Sequence, residues 1–127
     1  KEKTVRDKVV QEHIDKTPVV QSEIIRTGKG ASLCLDPLSQ RYFESDMSAI
    51  RRVESKLNQS MMLSICGSAS LNEFYAELGL EPVDDSVGDR LGWNSTYPIN
   101  MDIRPGMTVD ERPCLVLYHD NPPKYDY

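Results

Sequence analysis

SLNEFYAELGL, residues 70–80, decides how the chain must fold. Ser70 and Glu73 form a capping box: the serine oxygen can accept from the amide three residues on, while the glutamate reaches back to the serine amide. Leu71, Phe74, Tyr75 and Leu78 then fall at i, i+3, i+4 and i+7, the spacing of one buried helix face. Gly79 and Leu80 supply a left-handed stop with its hydrophobic contact. A short, well-punctuated helix is predicted over 71–78, followed by Pro82 and the polar loop VDDSVGDR, residues 83–90.

Upstream, Met47, Ile50, Val53, Leu57 and Met61 recur at spacings of three and four, predicting a longer amphipathic helix. Ser45 reads as its N-cap, with Tyr42 or Phe43 stapling its start. MMLSIC, residues 61–66, fits either the last turn of that helix or a short buried strand. Earlier still, VVQSEII (19–25) and ASLCLD (31–36) flank TGKG, whose two glycines permit a tight reversal; together they read as a β-hairpin. Residues 1–17 are dense in charge with only a thin stripe at Val5, Val9 and Val10, and read as a lead-in or linker.

Downstream, LGWN places Trp93 just past the loop. In PINMDIRP (98–105), Ile99, Met101 and Ile103 alternate with polar residues, a strand burying one face. PGMTVDER turns the chain, and RPCLVLYH (112–119) is apolar enough for a central strand buried on both faces. DNPPKYDY (120–127), with two prolines, is an extended closing segment. The expectation is one α+β domain over 18–127, in the order β-β-α-α-β-β, with two helices packed on one face of a mostly antiparallel sheet.

Composition agrees. The chain has 127 residues, 39% hydrophobic and 28% charged, enough for one core. No apolar run approaches the roughly 20 residues of a spanning helix. A net charge of −5 works against a nucleic-acid partner, and Arg51, Arg52 and Lys56, interrupted by Glu54, read as a solvated helix face. Cys34, Cys66 and Cys114 lie 32 and 48 positions apart without a CxxC pair, which predicts buried free thiols in a reducing compartment. The chain opens Lys-Glu-Lys without an initiator Met, an opening expected of a trimmed protein with room for an upstream anchor.

The candidate catalytic groupings are thin. Cys114, His119 and Asp120 can be written as a triad, but on one strand residues five apart project to opposite faces. Asp84, Asp85 and Asp89 around Gly88 lack calcium-loop spacing and read as a soluble turn. TGKG lacks the Ser/Thr and helix of a phosphate loop. Asn94-Ser95-Thr96 and Asn58-Gln59-Ser60 match a glycosylation pattern too short to carry weight. No catalytic residue, metal or cofactor is therefore assigned. Tyr97, Tyr125 and Tyr127 lie in Pro-containing polar segments where amphipathic rings serve recognition, and with Trp93 they form the candidate binding set.

The blocks DPLSQRYFESDMSAIRRVESKLN, SLNEFYAELGLEPVDDSVGDRLGWN, INMDI and RPCLVLYHDNPPKYDY, within residues 35–127, resemble a family of small uncharacterised domains encoded by bacteriophages and prophages of Gram-positive bacteria. The most specific pieces are DP…RYF, SLNEFY, GDRLGWN and the closing P-x-Y-D-Y. The resemblance implies a phage or prophage origin and an upstream membrane anchor in many members; it carries no catalytic residue. The resulting expectation is a non-catalytic module that binds a host or phage protein, or a second copy of itself, on the cytoplasmic side of the host cell. It is tethered to the membrane, if at all, by a segment absent from this chain, without membrane contact by the domain itself. Two alternatives stand beside it. One is a protein that sequesters a ligand of host signalling in a pocket with Arg41, Arg51 and Arg52; the other is a small hydrolase using Cys114 or an aspartate pair near Asp85 and Asp102.

Overall fold

Both predicted helices form where the apolar spacing puts them. The computed structural model describes residues 23–65 and 67–127. The charged lead-in, the beginning of the expected first strand and Cys66 lie outside these residues. Among them are eight strands and three helices: β1 (Ile25–Arg26), β2 (Ser32–Asp36), β3 (Arg41–Ser45), α1 (Met47–Leu63), β4 (Ser68–Ser70), α2 (Leu71–Leu78), α3 (Asp85–Gly88), β5 (Leu91–Asn94), β6 (Met101–Met107), β7 (Pro113–His119) and β8 (Lys124–Tyr125). The class is α+β. The chain divides into two compact units, one comprising residues through Asp46 with Asp102–Tyr118, the other Met47–Met101 with His119–Tyr127.

The first unit is built on a five-stranded sheet in the order β1-β3-β2-β7-β6. This sheet is mixed rather than purely antiparallel: β1 runs parallel to β3, and β2 parallel to β7, while β2 and β3 are antiparallel. The expected 19–36 hairpin is corrected accordingly. The hairpin is β2–β3, closed over residues 37–40, with Cys34 opposite Phe43 and Leu35 opposite Tyr42. The TGKG glycines serve different ends. Gly28 takes a left-handed φ of 76°, whereas Gly30 passes so close to β3 that a Cβ there would sit 2.5 Å from the Ser45 carbonyl carbon. Thr27 locks the same crossing by donating its hydroxyl to the Glu44 carbonyl.

Arg41–Ser45, taken from sequence as a helix staple and cap, is thus a strand. Ser45 closes β3 and is buried instead of capping α1. Leu35, Tyr42, Cys114, Val116 and Tyr118 form one apolar cluster, with Ile24 and Leu33 packed against it. Their chain neighbours Cys34, Phe43 and Leu117 project to the opposite side and are fully buried too, so the centre of the sheet is covered on both faces, as the apolar run in β7 predicts. Arg104 lies over the Tyr118 ring at 5.1 Å and pairs with Asp102 at 2.8 Å.

In the second unit α1 buries Ala49, Ile50, Val53, Leu57 and Met61, and continues through Leu63, which settles residues 61–63 as helix. Its polar residues Arg51, Glu54 and Asn58, at i, i+3 and i+7, grip the backbone of the 99–101 segment. Asn58 donates to the Ile99 carbonyl at 2.8 Å and accepts from the Ile99 amide at 3.0 Å; Glu54 accepts from the Met101 amide, and Arg51 donates to the Met101 carbonyl. The helix offers this extended segment a ladder of side chains where a neighbouring strand would offer backbone.

α2 has the punctuation read from its sequence. Ser70 and Glu73 close the capping box, Gly79 turns at φ 93°, and Leu80 donates to the Tyr75 carbonyl at 2.8 Å. The loop expected at 83–90 contains the four-residue α3, capped by Asp84. LGWN is β5, the centre of a second sheet in the order β4-β5-β8, and the closing segment supplies β8, antiparallel to β5.

Candidate functional site

The four candidate binding residues all fall in the second unit, but at different depths. Trp93 is fully buried on β5, with its ring 5.5 Å from Phe74 and 5.4 Å from His119. Its indole N–H donates to the Asn121 carbonyl at 2.7 Å. It therefore supports the surface from beneath and offers no contact of its own. His119 packs edge-on against Phe74 and is itself buried, a ring in an aromatic core.

Above Trp93 the closing segment is fastened at several points. Asn121 donates its amide to the Pro98 carbonyl, Asp120 its backbone N–H to Asn100, and Tyr97 its hydroxyl to the Pro122 carbonyl at 2.8 Å. Lys124 lies 4.5 Å from the centre of the Tyr97 ring. Tyr97 is oriented in turn by an Asx turn, in which Asn94 accepts from the Thr96 and Tyr97 amides.

Tyr127 is a clasp. Its hydroxyl donates to the Asp89 carbonyl at 2.7 Å, and its ring lies over Gly92, where a Cβ would stand 2.9 Å from the ring carbons and 2.2 Å from the Ala69 carbonyl oxygen. Partial burial, with the nearby charges of Glu73 and Asp89, raises its phenol above the ordinary tyrosine range. Tyr125 differs from the other three: it is 60% exposed while its backbone is paired to Leu91. With Arg90, Asp126 and Tyr127 it lines an open depression of about 490 Å³. The site is thus one exposed aromatic ring on a paired strand, with part-buried tyrosines and the exposed cations Arg90 and Lys124 beside it.

The catalytic groupings do not assemble. Cys114 and His119 lie on the single strand β7 with opposite parity, and Cys114 packs among Leu35, Tyr42 and Val116. Burial raises its thiol, and pushes that of Cys34 up to about 12, so neither is a ready nucleophile. Both are free and buried, as their apolar neighbours predict. Asp84 is held below the usual carboxyl range by the Ser86 hydroxyl and amide, Asp85 above it by hydrogen bonding to Asp89. No three His, Cys, Asp or Glu residues converge as a metal site among the described residues. Arg51 is engaged by Glu54 and Met101, and Lys56 by Glu77, the solvated-face reading. Arg41, on β3, belongs to the other unit. Asn58 and Asn94 both commit their amides within the fold. No helix among the described residues is long and apolar enough to cross a membrane.

Sequence reasoning missed the bare aliphatic end of α1, where Met62, Leu63 and Ile65 stand in water. The missing alternation across MMLSIC was its signal. No curated protein and no solved structure matches the chain. A family model described as a family of unknown function, DUF6353, matches residues 1–127, extending over the first 34 residues that the motif resemblance leaves aside. The chain belongs to this family of unknown function.

Proposed function

We propose that the chain is a non-catalytic binding or assembly module that captures a protein partner through the face carrying Tyr125. One observation carries the reading: a tyrosine 60% exposed is held on a strand whose backbone is already paired and whose neighbours Tyr97 and Tyr127 are hydrogen-bonded in place. A ring held on such a fixed backbone gives up little conformational freedom on binding, and Tyr and Arg are enriched where interfaces concentrate their energy. Arg90 and Lys124 suit a partner with carboxylates near an apolar or aromatic group. The phage or prophage origin, with action on the cytoplasmic side of the host, rests on the motifs of residues 35–127.

The test is capture by the tagged chain from infected and uninfected host lysate, comparing wild type with Tyr125→Ala and Arg90→Ala. A stoichiometric protein held by the wild type and reduced at least tenfold by Tyr125→Ala, at unchanged melting temperature, supports the proposal. Equal recovery with both variants overturns it.

A further inference from the structure

The largest exposed aliphatic feature of the second unit is the end of α1. Met61 closes the buried stripe of the helix, and the chain then presents Met62 at 76%, Leu63 at 81% and Ile65 at 104% exposure. Single exposed aliphatics are ordinary, but three within four positions are not. Together they offer on the order of 400 Å², within the size range of the largest apolar patch on a monomeric protein.

Charge selects what covers them. From Leu57 through Asn72 the sequence contains no Asp, Glu, Lys or Arg, and no other stretch of the chain runs as long without one. The protein carries a net charge of −5, so two copies repel over most of their surface. At this tip they do not. A lipid surface fits less well: anionic headgroups repel the acidic chain, and the nearest preceding cation, Lys56, is paired with Glu77 at 2.9 Å. Doubled across a two-fold axis, with the exposed neutral Gln59, Ser60 and Ser64 around it, the patch buries about 1,000 Å², the lower bound for a specific interface. A two-fold contact needs a surface complementary to itself, and flexible Met62 beside Leu63 can repack to provide one.

We infer that this tip, Met62, Leu63 and Ile65, is a homodimer contact between two copies of the chain. The area at the lower bound makes it a weak, concentration-dependent dimer. The test is sedimentation velocity of the full chain from low to high micromolar concentration, with Leu63→Lys, Ile65→Lys and, as a control outside the tip, Val87→Lys. The expected result is a species approaching twice the 14.4 kDa chain mass in the wild type and in Val87→Lys. Each tip lysine should weaken association at least tenfold while leaving the helical circular dichroism unchanged. A wild type that stays monomeric throughout overturns the inference, as does a dimer that survives both tip lysines. So does a monomer that co-sediments with phosphatidylcholine vesicles, which would assign the tip to lipid.

Discussion

Replacing Asn58 with Leu measures what it is worth to let one side-chain amide stand in for a neighbouring strand. Asn58 closes a two-bond ring with the backbone of Ile99, at 2.8 Å and 3.0 Å. The substitution removes two neutral hydrogen bonds, each worth about 0.5–1.5 kcal/mol net, and leaves an amide and a carbonyl stranded at a cost of about 1–3 kcal/mol each where water does not reach. Ile99 is only 2% exposed, while its neighbour Asn100 is exposed and can yield toward solvent, relieving part of that cost. The expected loss is about 3 kcal/mol, or roughly 10 °C in melting temperature for a chain of this size. Urea unfolding followed by Trp93 fluorescence reads it directly, with Gln59→Leu, an exposed neighbour on the same helix, expected within about 0.5 kcal/mol of wild type. Asn58→Asp separates the two bonds: one carboxylate oxygen still accepts from the Ile99 amide, but the other faces the Ile99 carbonyl. That repulsion raises the folded-state pKa of the new carboxyl above its unfolded value. Stability carried by the protonated form is then present below the unfolded pKa and lost as pH rises through the folded one. The Asp variant should therefore recover toward wild type as pH falls into the carboxyl range. A Leu variant within 0.5 kcal/mol of the Gln59 control would refute the reasoning, as would an Asp variant whose deficit is independent of pH.

Three further outcomes follow from the same geometry. Gly92→Ala should cost at least about 2 kcal/mol in urea unfolding, because a Cβ meets the Ala69 carbonyl oxygen at 2.2 Å, and Tyr127→Ala in the same chain should restore only the part due to the ring. Tyr127→Phe, which deletes the hydroxyl donated to Asp89 and keeps the ring, should cost about 1 kcal/mol by the same assay; no change would mean that the clasp is packing alone. With its thiol pushed up to about 12, Cys34 should stay unmodified by iodoacetamide at mildly alkaline pH in the folded chain and react in urea, read at that position by peptide mass spectrometry.

What was legible in the sequence was local. Ser70, Glu73 and Gly79 specify the limits of α2 because caps act within four residues, and the stripe from Ile50 to Met61 specifies α1 because burial on one face imposes the helical period. Residues 41–45 hid a strand because Tyr42 and Phe43 are buried on opposite faces of a doubly covered sheet, which erases the alternation by which strands are recognised. The parallel pairings of β1 with β3 and β2 with β7 join segments with no local signal between them. In the candidate site, Pro-bearing polar segments singled out Tyr97, Tyr125 and Tyr127. They could not separate Tyr125, which is exposed, from Tyr127, which is fastened, because that difference depends on Gly92 lying beneath one ring and on a carbonyl at Asp89.

The position of β2 between β3 and β7 also orders events in time. Its hairpin partner follows it at once, but its other neighbour is Pro113–His119, reached only after most of the chain has been made. Closing so long a loop costs entropy before any contact repays it, and folds dominated by such pairings form slowly. As the chain leaves the ribosome, β2 and β3 stand with Leu35 and Tyr42 uncovered until residues 113–118 arrive to complete their cluster. An exposed strand edge carrying apolar side chains is where newly made chains pair wrongly with one another. Ending translation before Pro113 should therefore yield aggregate instead of a smaller folded fragment.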